Sequence, residues 1–444
     1  MASPRSVHDE YEHGCGISAD PGTVRYPAPS GHLAARVPVA ALATGSVGAL
    51  TSAVNRLLAS RRRTPHTWQL DPERIAASFT ADRLMRIGRE PVSGFAPMSG
   101  FFAAADGWVR THANYPHHRM RLLTALDLPD DADPGTLSAR IGELLASDVE
   151  NLCAEAGAVA ARVRTEQEWA AHAQAVAAAA GPLVTMAPTG EFSGPALSGA
   201  DPVHPLAGLR VLDLTRVLAG PVAARALALL GAQVLRVDPP QLHEIDWQHR
   251  DTGQGKRSTL LDLTTADDLG TMRSLVATAD VIVTGYRPGS LDRFELTRDT
   301  PGIVRASVSA WGDRGPWSER RGFDSIVQAA SGIALIEGGD HPGTLPAQAL
   351  DHASGYLLAA GIVDAVTQRG HDGRGRDVSV SLARTAHTLL TLPGRVAAPP
   401  EPLTPGPATT VTHGAVTTAR PALPGYAEYP FPAHDWGADA PHWV

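Results

Sequence analysis

The sequence predicts an α/β protein in which a Rossmann-like, doubly wound parallel sheet is joined to a smaller α+β domain. From Leu206 onward, apolar strands alternate with amphipathic helices in the order β-α-β-β-α-β. Right-handed crossovers between such strands build a parallel sheet. A separate series of Ala-rich helices and one hairpin precedes this pattern, and 444 residues are enough for two or three domains.

Composition and charge narrow the class of protein. A hydrophobic content of 43% with 19% charged residues is typical of a globular chain, and the net charge of -8 gives no support to a nucleic-acid partner. Cys15 and Cys153 lie far apart, so we expect reduced thiols, no disulfide and no cysteine-based metal site. Because the N-terminus has no apolar signal core and no window approaches the ~20 apolar residues of a membrane span, we expect a cytoplasmic protein without a membrane partner.

The first 65 residues divide into two segments. Residues 1–30 are polar and rich in Gly, Pro and His, which predicts a flexible lead. Residues 31–65 contain an apolar run that ends in three arginines, which predicts one amphipathic helix. When Gly45 is placed on Gly355, ALATGSVGAL aligns with DHASGYLLAA, so this helix suggests a relic of a duplicated unit.

Residues 66–190 are predicted to form the small α+β domain. The stretch GFFAAADGWVRTH at 100–112 has the pattern of a hairpin with an Asp-Gly turn, and amphipathic helical stretches follow it. Turn-forming residues dominate 191–205, which we predict to be a linker. At the other end of the chain, 396–444 is a Pro-rich tail whose aromatic residues we expect to dock on the body of the protein.

The large domain, 206–395, supplies the predicted sheet. We expect strands over 208–214, 232–238, 257–263, 280–286 and 302–311, and helices over 221–231 and 265–279. Ligands of such sheets bind beyond the carboxyl ends of the strands. The first βα turn, LTRVLAGP, has one glycine and no GxGxxG, so an NAD-dependent enzyme ranks lowest among the functions considered.

Asp351 stands at the start of a long helix, and basic residues stand at loops of the sheet. The run from Asp351 to Arg369 predicts a helix that is buried on most of its surface, and an Asp at such a start is usually an N-cap. The basic residues at the loops are Lys256, Arg257, Arg287 and Arg293. Each alone suits a solvated surface charge, whereas together they suit a phosphate-rich ligand.

The order of the motifs resembles that of the family III CoA-transferases, the group of carnitine CoA-transferase, formyl-CoA transferase and the 2-methylacyl-CoA racemases. The segments concerned are PLAGLRVLDLTRVLAGPVAARALALLGAQVLRVDPP, GKRSTLLDL, ADVIVTGYRPGSLDR, VSAWGDRGPW, FDSIVQAASG and the Asp351 helix followed by GHDGRGRDVSVSL. The resemblance covers about 206–390, and 100–180 is similar to the family's smaller domain. In that family the large domain comes first, whereas here the small domain precedes it, as in a circular permutation.

The resemblance implies an acyl-CoA:carboxylate CoA-transferase that works through an aspartyl covalent intermediate. Asp351 matches the family's nucleophile, which would form a mixed anhydride and then an aspartyl-CoA thioester. Arg293 matches a CoA-contacting arginine, and Lys256 and Arg257 lie in the nucleotide region. The loop that lines the active site matches Arg216, Val217, Leu218 and Ala219, with Leu218 where a polar residue is common.

The same resemblance implies the ligands and partners. Coenzyme A and acyl-CoA would be substrates together with a carboxylic acid, with no permanently bound cofactor and no metal. The family forms interlocked homodimers, so we expect a homodimer. Backbone N–H groups at the start of the Asp351 helix are expected to stabilise an oxyanion.

Two alternatives remain open. A 2-methylacyl-CoA racemase needs a positioned acid and base, and the family's racemase histidine falls at about Leu335, with no histidine nearby before His341. The transferase is therefore favoured. A non-catalytic CoA-binding protein is the second alternative, because the domain order is altered and Leu218 replaces a polar residue.

Overall fold

The N-terminal part of the chain contains two long helices and several short elements. The structure is a computed structural model that describes residues 3–17, 22–28, 30–192, 194 and 201–444. The elements are α1 (Pro4–Gly14), β1 (Thr23–Arg25), α2 (Val39–Ser60), β2 (Thr67–Gln69), α3 (Pro72–Phe79), α4 (Ala81–Leu84), β3 (Arg86–Ile87) and β4 (Glu90–Pro91). Helix α1 lies within the predicted flexible lead, and its Val7 and Tyr11 are fully buried. Parts of the predicted lead and of the predicted linker, 191–205, lie outside the described residues.

The middle part of the chain has a hydrophobic core of its own. Its elements are β5 (Phe101–Ala104), β6 (Gly107–Thr111), α5 (Pro116–Ala125), α6 (Pro134–Gly142), α7 (Ala146–Glu155), β7 (Ala160–Arg162), α8 (Glu166–Ala170) and α9 (Ala173–Ala179). Strands β5, β6 and β7 form an antiparallel sheet, and β5 and β6 are the hairpin expected from the Asp-Gly turn. The core around Val109, Leu122 and Val149 is separate from the main core.

The remaining elements build the large sheet and the C-terminal segment. They are β8 (Thr185–Glu191), β9 (Arg210–Leu214), α10 (Ala219–Leu229), β10 (Gln233–Asp238), α11 (Asp246–Thr252), β11 (Arg257–Leu260), α12 (Ala266–Val276), β12 (Val281–Thr284), β13 (Val304–Ser309), α13 (Asp324–Ala330), α14 (Ile333–Gly338), α15 (Ala349–Asp372), β14 (Arg374–Ser381), α16 (Leu382–Thr391), β15 (Thr410–His413) and β16 (Val416–Ala419). Single 3-10 turns lie at Asp292–Phe294 and Pro407–Thr409.

The large sheet is mostly parallel, as the alternation of strands and helices predicted. Its order is β11-β10-β9-β12-β13-β14-β8. Neighbouring strands are parallel except for β8, which pairs antiparallel with β14. Strand β8 comes from the end of the predicted small domain, and its Pro188 is tolerated because β8 is an edge strand.

Helix α15 is buried on nearly all sides. Helix α2 packs along it, and α10 packs across its first turns. Gly355 allows the second contact, because a Cβ there would lie 2.6 Å from the carbonyl oxygen of Ala219. Arg56 of α2 and Tyr11 of α1 both bond the buried carboxylate of Asp364 on α15. The start of α15 is therefore held at a fixed place beside the first loop of the sheet.

The C-terminal segment returns to the body of the protein. Strands β15 and β16 extend a four-stranded antiparallel sheet that also contains β3 and β4. Farther on, the N–H of Gly255 donates to the carbonyl oxygen of Phe431, and the indole N–H of Trp443 donates to the Thr278 hydroxyl group at 3.0 Å. None of the helices in the described part of the chain has the length and apolar character needed to cross a membrane.

Candidate active site

Asp351 lies at the junction of two spaces. It is the third residue of α15 and is 6% exposed. One space is a cleft of about 500 Å³ that we call the arginine cleft, because its lining includes Arg216, Arg287, Arg293, Arg320 and Arg321. The other is a cavity of about 30 Å³, the inner cavity, lined among others by Phe79, His112, Phe323, Gln348 and His352. Asp351, Val217, Leu218 and Phe323 line both spaces.

The N-cap interpretation of Asp351 is wrong. Helix α15 begins at Ala349, and its N-cap residue is Gln348. The N–H of Asp351 donates instead to Oδ2 of Asp324 at 2.9 Å. Asp324 thus satisfies a donor that is otherwise unpaired at a helix start. Because the N–H of Asp351 already makes this bond, it is not a free donor for an oxyanion, although free backbone donors were expected at the start of this helix.

Asp324 is a site residue that the sequence did not single out. It is the first residue of α13, is fully buried, and its Oδ1 accepts a hydrogen bond from the side-chain amide of Gln328. Burial raises the pKa of Asp324 to about 6. Burial, and then the charge of Asp324, raise the pKa of Asp351 well above its usual value. Two adjacent buried carboxyl groups favour a state in which one of them keeps its proton.

The loop between β9 and α10 faces Asp351 in a strained conformation. Val217 has φ = 71°, a left-handed conformation that is rare for a β-branched residue. Its N–H donates to Oε2 of Glu244 at 3.2 Å, and Nη2 of Arg216 donates to the carbonyl oxygen of His243 at 2.6 Å. These two bonds tie the loop to the segment that follows β10.

Glu244 is the centre of that support. Its carboxylate accepts hydrogen bonds from Arg236 at 2.9 Å and from the hydroxyl group of Tyr115 at 2.5 Å. Although burial opposes ionisation, Arg236 and then Arg216 lower the pKa of Glu244 to about 2. Tyr115 also packs against the Arg216 guanidinium, with 5.0 Å from Cζ to the ring centroid. Tyr115 lies in the predicted small domain, and Glu244 and Arg216 lie in the predicted large domain, so this network joins the two segments at the cleft.

The arginine cleft concentrates positive charge. Val217 and Ala219 line it together with Arg216, and Arg293 lines it from the loop after β12. Burial and the neighbouring charges of Arg121 and Arg287 lower the pKa of Arg321 to about 10. Guanidinium groups held close to one another in this way favour a polyanionic ligand.

Lys256 and Arg257 do not line the cleft. The ammonium group of Lys256 is buried and donates to Oδ2 of Asp213 at 2.8 Å and to the Pro221 carbonyl oxygen at 3.2 Å. Arg257 bonds Asp439 at 3.1 Å and the His442 carbonyl oxygen at 2.6 Å. The structure therefore places Arg216, Val217, Ala219, Arg293 and Asp351 in one cleft and leaves this basic pair in structural contacts.

The inner cavity has both apolar and polar lining residues, and its described lining contains no Lys or Arg. His112 and His352 line it, and Nδ1 of each is buried without a hydrogen-bond partner in the part of the chain that the structure describes. Burial and then Arg110 lower the pKa of His112 to about 3. Burial and then Arg225 lower that of His352 to about 3. Both rings are therefore neutral near pH 7, and both stack on phenylalanines, His112 on Phe323 and His352 on Phe79.

A larger cavity of about 820 Å³ adjoins the arginine cleft and shares Tyr286 and Arg287 with its lining. It is lined by polar residues of β12, β13 and β14, including Thr284, Ser307 and Ser379. Its lining does not include Asp351. Size alone does not make it the reaction site, because it lacks the buried carboxyl pair.

Comparisons with known proteins agree on one family for part of the chain. Residues 206–404 match the family model described as CoA-transferase family III. An acetyl-coenzyme A transferase of Hypoxylon pulicicidum is 36% identical over 196 residues, which are 41% of this chain and 33% of that protein. A succinyl-CoA:glutarate CoA-transferase of Mus musculus is 31% identical over 221 residues, or 46% of this chain and 51% of that protein.

A solved structure gives a partial match. The crystal structure of a protein of Mycobacterium tuberculosis is 31% identical, with a TM-score of 0.38, and the match covers 42% of this chain and 58% of that chain. The chain thus spans from a third to about half of the length of the curated relatives named above.

Proposed function

We propose, from the match of residues 206–404 to the model of CoA-transferase family III, that this protein is an acyl-CoA:carboxylate CoA-transferase in which Asp351 is the nucleophile. The observation that carries the proposal is the position of Asp351 at the junction of the arginine cleft and the inner cavity. A thioester at that junction would have its CoA on one side of the carboxylate and its acyl group on the other.

The arginine cleft suits CoA in size, charge and place. Ligand pockets are commonly about 300–1,000 Å³, and this cleft is about 500 Å³. In a doubly wound parallel sheet, ligands bind where the strand order reverses. Here that point lies between β9 and β12, whose loops contribute Arg216 and Arg287 to the cleft. The phosphates of CoA would meet these guanidinium groups.

The first half of the reaction transfers CoA to the enzyme. A carboxylate oxygen of Asp351 attacks the thioester carbonyl carbon, the C–S bond breaks, and CoA leaves as a thiolate. The product is a mixed anhydride. The thiolate then attacks the side-chain carbonyl carbon of Asp351, and the C–O bond of the anhydride breaks. The first acid departs as a carboxylate and an aspartyl-CoA thioester remains.

The second half returns CoA to a new acid. The acceptor carboxylate attacks the aspartyl carbonyl carbon and displaces the CoA thiolate, which gives a second mixed anhydride. The thiolate attacks the acceptor's acyl carbon, and the carboxylate of Asp351 leaves. Bonds and charges balance over the cycle without a redox partner, and the enzyme returns to its starting state.

Asp324 would act as a positioning residue for the nucleophile. Its bond to the N–H of Asp351 fixes the first turn of α15. Its negative charge raises the pKa of Asp351, so a larger share of the nucleophile is protonated at a given pH. Burial and the neighbouring negative charge both disfavour the ionised form of Asp351. Once ionised, Asp351 would therefore be a more basic nucleophile than an exposed aspartate.

The test is a search for the covalent intermediate. Purified protein is incubated with a panel of acyl-CoAs, and the mass of the Asp351 peptide is measured, with Asp351→Ala as the control. We expect an adduct of the mass of CoA less one water, sensitive to hydroxylamine, in the wild-type protein alone. A protein that binds CoA while its Asp351 peptide stays unmodified across the panel would argue against the transferase.

A 2-methylacyl-CoA racemase is the second candidate, because His112 and Asp351 line the same cavity. Burial makes this histidine a weak base, with its pKa lowered to about 3, which favours the transferase. Exchange of the α-proton with deuterated water without CoA transfer would select the racemase. CoA binding without either reaction would select a non-catalytic protein. The homodimer is a further part of the proposal, to be tested by light scattering.

A further inference from the structure

The inner cavity limits the group that can lie beside Asp351. Its volume of about 30 Å³ is the space open to the centre of a water-sized sphere. One water molecule needs roughly 10–15 Å³ on that measure, so the cavity holds about two or three non-hydrogen atoms. Phe79, Phe323 and Leu218 contribute apolar side chains to its lining. A long acyl chain has no room there.

The charges around the inner cavity also limit which acyl group can lie beside Asp351. Three carboxyl groups line the inner cavity, those of Asp82, Asp251 and Asp351, and its described lining contains no Lys or Arg. Arg225 neutralises Asp251 through a contact of 3.0 Å, but it is not part of the lining. A second carboxylate on the substrate would therefore be buried among acids without a cation, which is costly.

A further basic residue near this region is Arg110. Arg110 interacts electrostatically with His112 and Asp324. Its guanidinium group lies 4.8 and 4.9 Å from the ring centroids of Phe95 and Phe101 and does not line the cavity. It offers no direct contact to an acyl group beside Asp351.

The polar atoms of the cavity suit an uncharged partner. Nδ1 of His112 and Nδ1 of His352 are buried and unpaired among the described residues, and the amide side chains of Gln248 and Gln348 also line the space. A buried polar atom without a partner costs free energy that a ligand hydrogen bond recovers. Neutral imidazoles and amides can bond a hydroxyl or carbonyl group but give little compensation to a full negative charge.

We infer that the acyl group transferred by this protein is short and uncharged, an acetyl or hydroxyacetyl group in size and polarity. The inference rests on the proposed function, because it assigns the inner cavity to the acyl part of the same thioester. The acceptor enters the same anhydride on Asp351 as the donor does. The acceptor acid is therefore also short and carries no charge beyond the reacting carboxylate.

Binding tests the inference independently of turnover. The probes are carba(dethia) analogues of acetyl-, butyryl- and succinyl-CoA, in which a methylene replaces the thioester sulfur so that no CoA can be released. Calorimetric titration of the wild-type protein should show the acetyl analogue binding at least about tenfold more tightly than the succinyl and butyryl analogues. Equal or tighter binding of the succinyl analogue overturns the inference on charge, and equal binding of the butyryl analogue overturns it on size.

A matched pair of variants locates the selection. Leu218→Ala enlarges the inner cavity and should raise the affinity for the butyryl analogue relative to the acetyl analogue severalfold. Leu242 lines the arginine cleft alone, so Leu242→Ala should leave that ratio unchanged. A ratio that moves equally in both variants contradicts the assignment of the cavity. If the analogues bind in the predicted order but the protein transfers no CoA, the proposed transferase function is wrong and the inferred acyl specificity still stands.

Discussion

The backbone N–H of Asp351 donates to Oδ2 of Asp324 at 2.9 Å. The carboxyl group of Asp324, at the start of α13, therefore fixes the first turn of α15, which carries the carboxyl group of Asp351. Both carboxyl groups are buried, and the pKa of each is raised. A protein gains little stability from two acids placed side by side away from water. The arrangement is therefore better explained by reactivity than by folding, and the two properties can be separated by mutation.

We expect Asp351→Asn to reduce CoA transfer by roughly 10⁴-fold or more and to stabilise the fold at pH 8. The pKa of Asp351 is raised in the folded state, so the folded protein binds more protons than the unfolded chain. The stability that the protonated acid contributes is present at low pH and is lost as the pH rises through the folded pKa. Asn stays uncharged, so the gain at pH 8 should be about 0.5–2 kcal/mol in urea unfolding.

The control for that variant is a second buried aspartate on the same helix. Asp364 accepts hydrogen bonds from Arg56 at 2.7 and 2.8 Å and from Tyr11 at 2.6 Å. Asp364→Asn should therefore lose about 3–5 kcal/mol of stability and keep CoA transfer in the folded fraction. If both variants lost stability alike, the distinction between a reactive and a structural carboxylate would fail.

Asp324→Asn should move the pH dependence of the reaction. In the proposed mechanism activity rises as Asp351 ionises, and the charge of Asp324 opposes that ionisation. Without this charge the midpoint of kcat/KM against pH should fall by about one unit. Asn can still accept the N–H of Asp351, so the variant should fold. An unshifted midpoint in a folded variant would show that Asp324 has a structural role alone.

Arg293→Ala should raise the KM for acyl-CoA about tenfold or more, with a smaller effect on kcat. The reason is that Arg293 lines the arginine cleft and would meet a phosphate group. Arg298 is a suitable control, because it lies five residues further on, is exposed, pairs with Glu295 and lies outside that cleft. Arg298→Ala should leave KM unchanged. Steady-state kinetics at two salt concentrations measure both variants.

Lys256→Met should destabilise the fold by about 3–5 kcal/mol, because Asp213 would be left buried without its ammonium partner. The resemblance had suggested a nucleotide contact for Lys256, which would instead appear as a raised KM in a protein of normal stability. Denaturant unfolding together with the KM for acyl-CoA distinguishes these outcomes.

Val217→Gly should change the free energy of unfolding by less than about 1 kcal/mol. Glycine removes the strain of a β-branched residue in a left-handed conformation, and this gain offsets the larger conformational entropy that glycine loses on folding. We expect kcat/KM to fall, because the loop beside Asp351 would be held less firmly. Unfolding in urea and steady-state kinetics test the two halves of this expectation. A large loss of stability would mean that the Val217 side chain itself holds the loop.

The parts of the fold that local patterns determine were predictable. The strands at 210–214, 233–238, 281–284 and 304–309 are short apolar runs between turn residues, and each lies inside its predicted range. Strand β8 was missed, because TMAPTGE has neither apolar alternation nor a proline-free run. It is a strand because the edge of β14 offers it a backbone partner.

Sequence motifs predicted some residues of the candidate site. They did not predict the residues that only the packing of the chain brings to it. Asp351, Arg216 and Arg293 follow from the motif order. Asp324 looks like an ordinary helix-start residue in the sequence, and only the fold brings it to Asp351 across 27 positions. Lys256 illustrates the converse case. Its chemical type suits a phosphate, but its partner is Asp213, 43 positions earlier in the chain.

The contact between Tyr11 and Asp364 has a consequence for how the chain folds during synthesis. The two residues are separated by 353 positions. At about 5–20 residues per second, the ribosome needs roughly 20–70 s to make the second partner after the first. Throughout that interval, the apolar surface of α2 has no α15 to cover it, and such exposed surface promotes aggregation. We therefore expect newly made N-terminal segments of this chain to need a chaperone until residue 364 has left the ribosome.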